Sequence, residues 1–170
     1  MRPTGSSRRT TLAALGGGAL LLAGCAAPRG PAAPADGSAW SGRLSLHIDS
    51  EPVQTFSAAF DLHGSAAAGE LTLTSPIGST LAVLQWSPGE ALLRNGSDVR
   101  RFDSVDALVE AATGAAIPVD ALFGWLAGRD AAVAGWRADL SRVAEGRLQA
   151  RRQSPLPVAD LRLVFEPRQP

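Results

Sequence analysis

The feature that most constrains this chain is a series of short segments in which apolar and polar residues alternate. In residues 42–49 and again in residues 55–63, apolar side chains occupy every second position. Alternation of this kind predicts half-buried β-strands, each with one face toward a core. Turn signals such as Pro88-Gly89 and Asn95-Gly96 join successive segments, so we predict an antiparallel meander.

Further segments of the same kind make the predicted fold mainly β. They lie at 69–75, 79–86, 90–95, 98–102, 135–141, 147–153 and 159–167. Two helices interrupt the strands, one capped by Ser104 and ending at Gly114, the other starting at Pro118 and closing at Gly128. We therefore predict an α+β fold in which an open antiparallel sheet curls around the helices.

The amino terminus predicts export from the cytoplasm. Residues 1–24 combine early arginines, an apolar run and small residues before Cys25, which is the order of a signal peptide. The run is interrupted by glycines and is too short for a membrane-spanning helix, which needs about 20 apolar residues. The general secretory route is favoured, and Ser7-Arg8-Arg9 leaves the twin-arginine route open.

Leu22-Ala23-Gly24-Cys25 resembles the bacterial lipobox. The resemblance implies that diacylglycerol is attached to the Cys25 thiol, that the chain is cut before it, and that the new amino terminus is acylated. Three acyl chains anchor a protein stably, whereas one chain binds only marginally. Ala26 in place of Asp implies the outer membrane, on its periplasmic face. The alternative is an ordinary signal peptide with a coincidental cysteine.

Residues 25–39 are rich in proline, alanine and glycine, so we predict a flexible tether that reaches up to roughly 40 Å. The folded domain is predicted at residues 40–170. After cleavage the chain would contain 13 arginines and 16 aspartate or glutamate residues, which gives a net charge of −3. This balance argues against nucleic-acid binding. We expect the mature protein to be a monomer.

The sequence offers little catalytic chemistry. His47 and His63 lie on or near strands and are expected to face solvent, and no hydrolase, metalloprotease or phosphate-loop motif accompanies them. A group of three arginines could either contact anionic headgroups or form a solvated strand face, namely Arg147, Arg151 and Arg152. We favour the solvated strand face. We therefore predict a binding protein rather than an enzyme, with no cofactor and no metal site.

Two motifs resemble those of the LolB family of outer-membrane lipoprotein receptors. Residues 75–79, Ser-Pro-Ile-Gly-Ser, match an Asn/Ser-Pro-Leu-Gly loop, and residues 118–128 match a Pro-Ile/Val-x-x-Leu-x-x-Trp-Leu-x-Gly helix. The resemblance implies an open β half-barrel curled around a helical lid, with an apolar cavity for acyl chains. It also implies that the protein accepts lipoproteins from the periplasmic carrier LolA and inserts them into the inner leaflet of the outer membrane.

The resemblance further implies two kinds of functional residue. Ile77 replaces the family's leucine and is expected to protrude as an apolar tip that helps to place lipid in the membrane; alternatively, it folds back onto the core. Trp125 lies three residues from Leu122 on the predicted helix, so burial as a packing residue is favoured over direct contact with lipid. The expected cavity lining consists of Leu44, Leu46, Ile48, Phe56, Phe60, Leu71, Leu73, Leu81 and Val83, closed over by Leu122, Phe123 and Leu126.

The same alternation would also produce a solid sandwich core, so the residues alone do not distinguish a cavity from dry packing. A structural or scaffolding lipoprotein of the outer membrane would carry the same anchor and tether without a lipid cavity. A lipid-modifying hydrolase would need a serine or aspartate beside a basic partner. These two classes remain the alternatives to a receptor.

Overall fold

The computed structural model describes residues 38–166. Cys25 and the predicted signal peptide lie outside the described residues. The strands are β1 (Ser38–Ile48), β2 (Gln54–Gly64), β3 (Gly69–Thr74), β4 (Thr80–Ser87), β5 (Glu90–Asn95), β6 (Asp98–Phe102), β7 (Trp136–Asp139), β8 (Arg147–Arg152) and β9 (Ala159–Phe165). The helices are α1 (Val105–Thr113) and α2 (Val119–Leu126).

The nine strands form one antiparallel sheet in the order β6-β5-β4-β3-β2-β1-β9-β8-β7. The meander from β1 to β6 is formed as predicted, and the last strands of the chain add to the other side of β1. Strands β6 and β7 are the two edges and do not pair with each other, so the sheet stays open. The predicted fold class, mainly β with helices in an open antiparallel half-barrel, is confirmed.

The two ends of the sheet differ in what they carry. Ile48 pairs with Gln54 and with Ala159, and we call this side the loop end; it carries the connections at 49–53, 75–79, 96–97 and 153–158. At the opposite side Gly69 pairs with Gly64 and with Trp86, and Trp40 lies near the start of β1. We call that side the aromatic end.

Rows of paired side chains across neighbouring strands build the core. Leu62 pairs with Leu71, Leu71 with Leu84, and Leu84 with Leu93, so four leucines line up across β2 to β5. All four are buried. Since the residues between them point to the other face, one face of the sheet packs inward and the other meets solvent.

The side chains of β4 that point into the core differ from those expected from the sequence. Residues 81–84 are all apolar, so alternation alone leaves the inward-facing set undecided. Ala82 and Leu84 are buried, whereas Val83 is only half-buried and pairs with Arg94 on the outer face. The expected position of Val83 on the concave face is therefore corrected.

Helix α1 has the predicted caps, whereas α2 follows Pro118 without a side-chain cap and has Ala127, next to Gly128, as its C-cap residue. The Ser104 hydroxyl accepts a hydrogen bond from the Ala107 amide at 3.1 Å, and Gly114 follows α1 with a left-handed φ of 87°. The carboxylate of Asp106 in α1 accepts the amide of Val119 at 3.1 Å, which ties the start of α2 to α1. Within residues 38–166 no helix is long and apolar enough to cross a membrane.

Candidate lipid-binding site

Helix α2 closes the aromatic end of the half-barrel. The Phe123 ring packs edge-on against Trp40 and Trp86, with centroid distances of 5.6 Å and 6.4 Å. The indole nitrogen of Trp86 donates to the Ser65 carbonyl at 2.9 Å, so that ring is fixed by a polar contact as well. Phe123 is buried in this cluster, where it fills space as a packing residue.

The rest of α2 is also packed on most sides. Trp125 is buried, its indole nitrogen donates to the Ala131 carbonyl at 3.1 Å, and its ring lies 6.2 Å from that of Trp136. Leu126 is buried and Leu122 is half-buried. The expected burial of Trp125 is observed, and α2 behaves as an element of the core.

A cavity of about 280 Å³ opens at the loop end, between α1 and strands β2 to β6. We call it the α1 cavity. Its lining consists of Phe56, Leu73, Leu81, Ala82 and Leu93 from the strands, Ala111 and Ala112 from α1, and the polar residues Asn95, Asp98 and Arg100. Three of the predicted lining residues are thus brought together, namely Phe56, Leu73 and Leu81.

The other predicted lining residues of the strands do not border this cavity. Leu46, Ile48, Phe60 and Leu71 are buried in packed rows of the sheet, and Leu44 is half-buried. Leu122, Phe123 and Leu126 of α2 are absent from the lining too. The helix over the cavity is therefore α1, whereas the sequence pointed to α2.

Polar groups form part of the lining of the α1 cavity. Arg100 pairs with Leu93 in the sheet, and its guanidinium carbon lies 5.2 Å from the centre of the Phe102 ring. Asp98 and Asn95 lie at the turn between β5 and β6. A cavity lined by both apolar and charged groups suits a molecule that combines a hydrocarbon chain with a polar head.

The loop between β3 and β4 projects beside the α1 cavity. The Ser75 amide donates to the Ser79 carbonyl at 2.8 Å, and the Gly78 amide donates to the Ser75 carbonyl at 2.9 Å, so the turn is tightly closed. Ile77 at its tip is 89% exposed. The side chain therefore protrudes into solvent and does not fold back onto the core.

A second cavity, of about 210 Å³, lies between the α1–α2 connection and the loop at 153–158. We call it the Arg152 cavity. Arg152 is buried on its wall, its Nη2 donates to the Pro157 carbonyl at 3.1 Å, and its guanidinium carbon lies 5.9 Å from the Trp136 ring centre. Its Nε is buried and has no hydrogen-bond partner among the described residues.

The arginines of β8 therefore divide between two faces. Arg147 and Arg151 are exposed, as expected for a solvated strand face, but Arg152 follows Leu148 and Ala150 on the inward face. This buried arginine was missed by sequence reasoning. The alternation of Leu148, Ala150 and Arg152 was the signal that would have found it.

The titratable groups of the described residues form no catalytic cluster. His47 and His63 are both exposed, as predicted, and His47 lies 3.1 Å from the Asp49 carboxylate. Hydrogen bonds from Ser141 lower the pKa of Asp139, a solvent-exposed residue at the end of β7. Within residues 38–166 no three His, Cys, Asp or Glu residues are grouped to hold a metal ion.

Comparison with known proteins points to one family. A family model described as outer membrane lipoprotein LolB matches residues 38–162. A protein of Bordetella petrii named outer-membrane lipoprotein LolB is 38% identical over 134 residues, covering 75% of this chain and 66% of the relative. A protein of the same name from Cupriavidus pinatubonensis is 38% identical, over 84% of this chain and 70% of its own length. A third, from Ralstonia nicotianae, is 33% identical, over 83% of this chain and 71% of its own length. The chain thus spans about two thirds of the length of these relatives.

Proposed function

Because the chain belongs to the LolB family of outer-membrane lipoproteins, we propose that it is a receptor that accepts lipoproteins from a LolA-like periplasmic carrier. It holds their acyl chains in an apolar cavity and releases them into the inner leaflet of the outer membrane. No covalent bond changes in these steps. The observation that carries the proposal is the α1 cavity with the exposed Ile77 loop beside it.

The physical need for such a receptor follows from the cost of wetting an acyl chain. At about 0.8 kcal/mol per methylene, transferring an acyl chain of about 16 carbons from an apolar environment into water costs roughly 12 kcal/mol of free energy. For three chains the transfer costs on the order of 30 kcal/mol or more, so unassisted crossing of the periplasm is negligible. A cavity must offset most of this cost but not all of it, because complete compensation would prevent release.

The α1 cavity is too small for the proposed cargo, so an element around it has to move. At about 280 Å³ it lies just below the range for ligand pockets, which runs from roughly 300 to 1,000 Å³. Three acyl chains need more room than that. Helix α1 packs on β4, β5 and β6 and forms the roof, so its outward displacement is the motion that enlarges the cavity. In this proposal α1 is the lid.

We assign the membrane anchor to Cys25, which lies outside the described residues. With three acyl chains on this cysteine, residues 25–37 act as a tether of up to roughly 40 Å, because β1 already starts at Ser38. The domain then stays within reach of the bilayer while it exchanges cargo with a soluble carrier. A lipid anchor thus serves the receptor end of the pathway, where cargo has to leave the water phase.

The substitution Ile77→Glu tests the delivery step. The residue is 89% exposed, so folding and receipt of lipoprotein should be unchanged. Delivery into vesicles should slow by roughly 30-fold, since carrying a carboxylate into the lipid interface costs about 2 kcal/mol. The matched control Ile77→Leu keeps an apolar tip and should deliver at the normal rate. Normal delivery by Ile77→Glu would contradict the assigned role.

Native mass spectrometry of a Cys25→Ala variant, mixed with carrier that is loaded with lipoprotein, tests the receipt step. Stoichiometric transfer of intact lipoprotein supports the receptor. If the protein takes up no lipoprotein, the scaffolding alternative is favoured. A change in the mass of the lipid would indicate a hydrolase.

A further inference from the structure

Leu156 repeats the features that single out Ile77. Among residues 38–166, Ile77 and Leu156 are the two most exposed large apolar side chains, at 89% and 79%. Each follows a proline in a short loop without charged residues, at 75–79 and at 153–158. A single exposed leucine is unremarkable, but two aliphatic tips on similar loops of one domain need an explanation.

The loop that carries Leu156 is fixed at both ends. The Gln153 amide donates to the Gly135 carbonyl at 2.8 Å, and the Val158 carbonyl accepts the Asp49 amide at 2.9 Å. Leu156 lies between these bonds with its side chain in solvent. The exposure therefore comes from a loop with a defined backbone path, and little conformational entropy is lost when such a tip binds.

Both loops lie at the loop end of the sheet. Arg152 pairs with Ala159, which pairs with Ile48 at the end of β1, and the loop at 153–158 continues beyond that row. The loop at 75–79 leaves the sheet in the same direction on the other side of β1 and β2. Each adjoins a cavity, the α1 cavity for one loop and the Arg152 cavity for the other.

The lipid bilayer is the partner that fits these observations. The chain belongs to a family of outer-membrane lipoproteins, so a membrane is its constant neighbour. Loops without charges enter the lipid interface without the cost of burying an ion. We propose that the loop at 153–158 is a second membrane-contact loop, which inserts Leu156 while Ile77 inserts on the other flank of the loop end.

This inference rests on the proposed delivery of lipid from the loop end, and it adds an orientation to it. Two apolar tips on separate loops direct the loop end, with both cavity mouths, toward the bilayer. A single tip would leave the domain free to rotate about its contact point. The second contact thus restricts how the cargo meets the membrane.

Fluorescent labelling of the full lipidated protein tests the contact directly. Cys25 is the only cysteine of the chain, and its thiol is consumed by the lipid in the proposed mature form, so Leu156→Cys provides one site for a nitrobenzoxadiazole label. The matched control is Val164→Cys on the outer face of β9, where the native side chain is 56% exposed. The unsubstituted protein should take up no label.

In vesicles that contain doxyl-labelled lipids and no cargo, the label at position 156 should emit at shorter wavelength. It should be quenched at least about twofold more than the label at 164, because only an inserted group meets the quencher. Equal quenching at the two positions would overturn the inference. Leu156→Glu should also slow delivery by about tenfold with loading unchanged, while Val164→Glu should have no effect.

The two ideas fail in different ways. If the label at 156 is unquenched while Ile77→Glu still blocks delivery, the second contact is wrong and the proposed function stands. If the label at 156 is quenched while Ile77→Glu delivers normally, the contact stands and the assigned role of Ile77 is wrong.

Discussion

The aromatic end and the loop end of this half-barrel use the same strands in opposite ways. At the aromatic end Phe123, Trp40 and Trp86 fill the space between α2 and the sheet, and all three are buried. At the loop end small side chains of α1 face the strands and leave a cavity of about 280 Å³. Large rings fill the aromatic end, whereas at the loop end α1 contributes alanines and a β-bulge lies between Leu73 and Thr74, so side-chain size and this irregularity together decide where the interior is solid.

The difference indicates a division of labour between stability and function. Tight packing stabilises a fold, while binding regions are drawn from less densely packed parts. Substitutions at the aromatic end should therefore act mainly on the free energy of unfolding. Substitutions at the loop end should act mainly on lipid binding and delivery.

The same change at the two ends should give the largest contrast. Phe123→Ala removes a buried ring from the aromatic cluster and should lower the free energy of unfolding by about 4 kcal/mol. Phe56→Ala removes a half-buried ring from the α1 cavity and should cost only about 1–2 kcal/mol. Urea unfolding followed by tryptophan fluorescence measures both values. Equal losses would mean that the two ends are packed alike.

Gly69→Ala should be the next largest effect. A Cβ at this position would lie 2.5 Å from the His63 carbonyl oxygen and 2.6 Å from the Trp86 ring, which is itself held by its hydrogen bond to Ser65. The ring has to shift, and we expect a loss of about 2 kcal/mol. Gly89→Ala is a useful comparison, because a Cβ there meets no atom within 4 Å and the strain comes from its positive φ alone. A loss at Gly69 no larger than at Gly89 would contradict the role of close packing.

Arg152→Met should change stability in the opposite direction. The guanidinium is buried beside Trp136 with an unpaired Nε, and a buried charge without full hydrogen bonding is unfavourable. A methionine fills similar space, so thermal unfolding should show a gain of about 1 kcal/mol. Arg151→Met, on the exposed face of the same strand, should be neutral. A loss of stability in Arg152→Met would show that the arginine is needed for packing.

Ser104→Ala should give the smallest change in stability. It removes the hydrogen bond to the Ala107 amide at the start of α1 and should cost about 1 kcal/mol or less. Because α1 is the proposed lid, hydrogen exchange should increase in α1 and stay unchanged in α2. Ser104→Asp retains a capping group and should restore protection. Equal exchange increases in both helices would contradict an independently mobile lid.

Much of this fold was predictable because its signals are local. Strand alternation, the Pro-Gly and Asn-Gly turns, and the caps at Ser104 and Gly114 each depend on a few neighbouring residues. The expected protrusion of Ile77 is also a local property of a closed turn. These features require no knowledge of which elements meet in space.

The errors concern choices that depend on distant contacts. Because residues 81–84 are all apolar, the sequence did not decide which side chains of β4 point into the core. Pairing with the neighbouring strands places Val83 on the outer face. The apolar stripe of α2 does not say which end of the sheet it meets, and the position of Phe123 depends on Trp40 and Trp86. The α1 cavity therefore borders a different helix from the one that the sequence suggested, and a lid formed by α2 stays a prediction.

The open seam between β6 and β7 has a mechanical consequence. A closed barrel has a circumference that its backbone hydrogen bonds hold constant. Here no ladder joins the two edge strands, and charged side chains such as Arg101 and Arg137 discourage foreign strands from docking there. The distance between the edge strands β6 and β7 can thus increase or decrease with the size of a bound ligand, while all hydrogen bonds between paired strands stay intact.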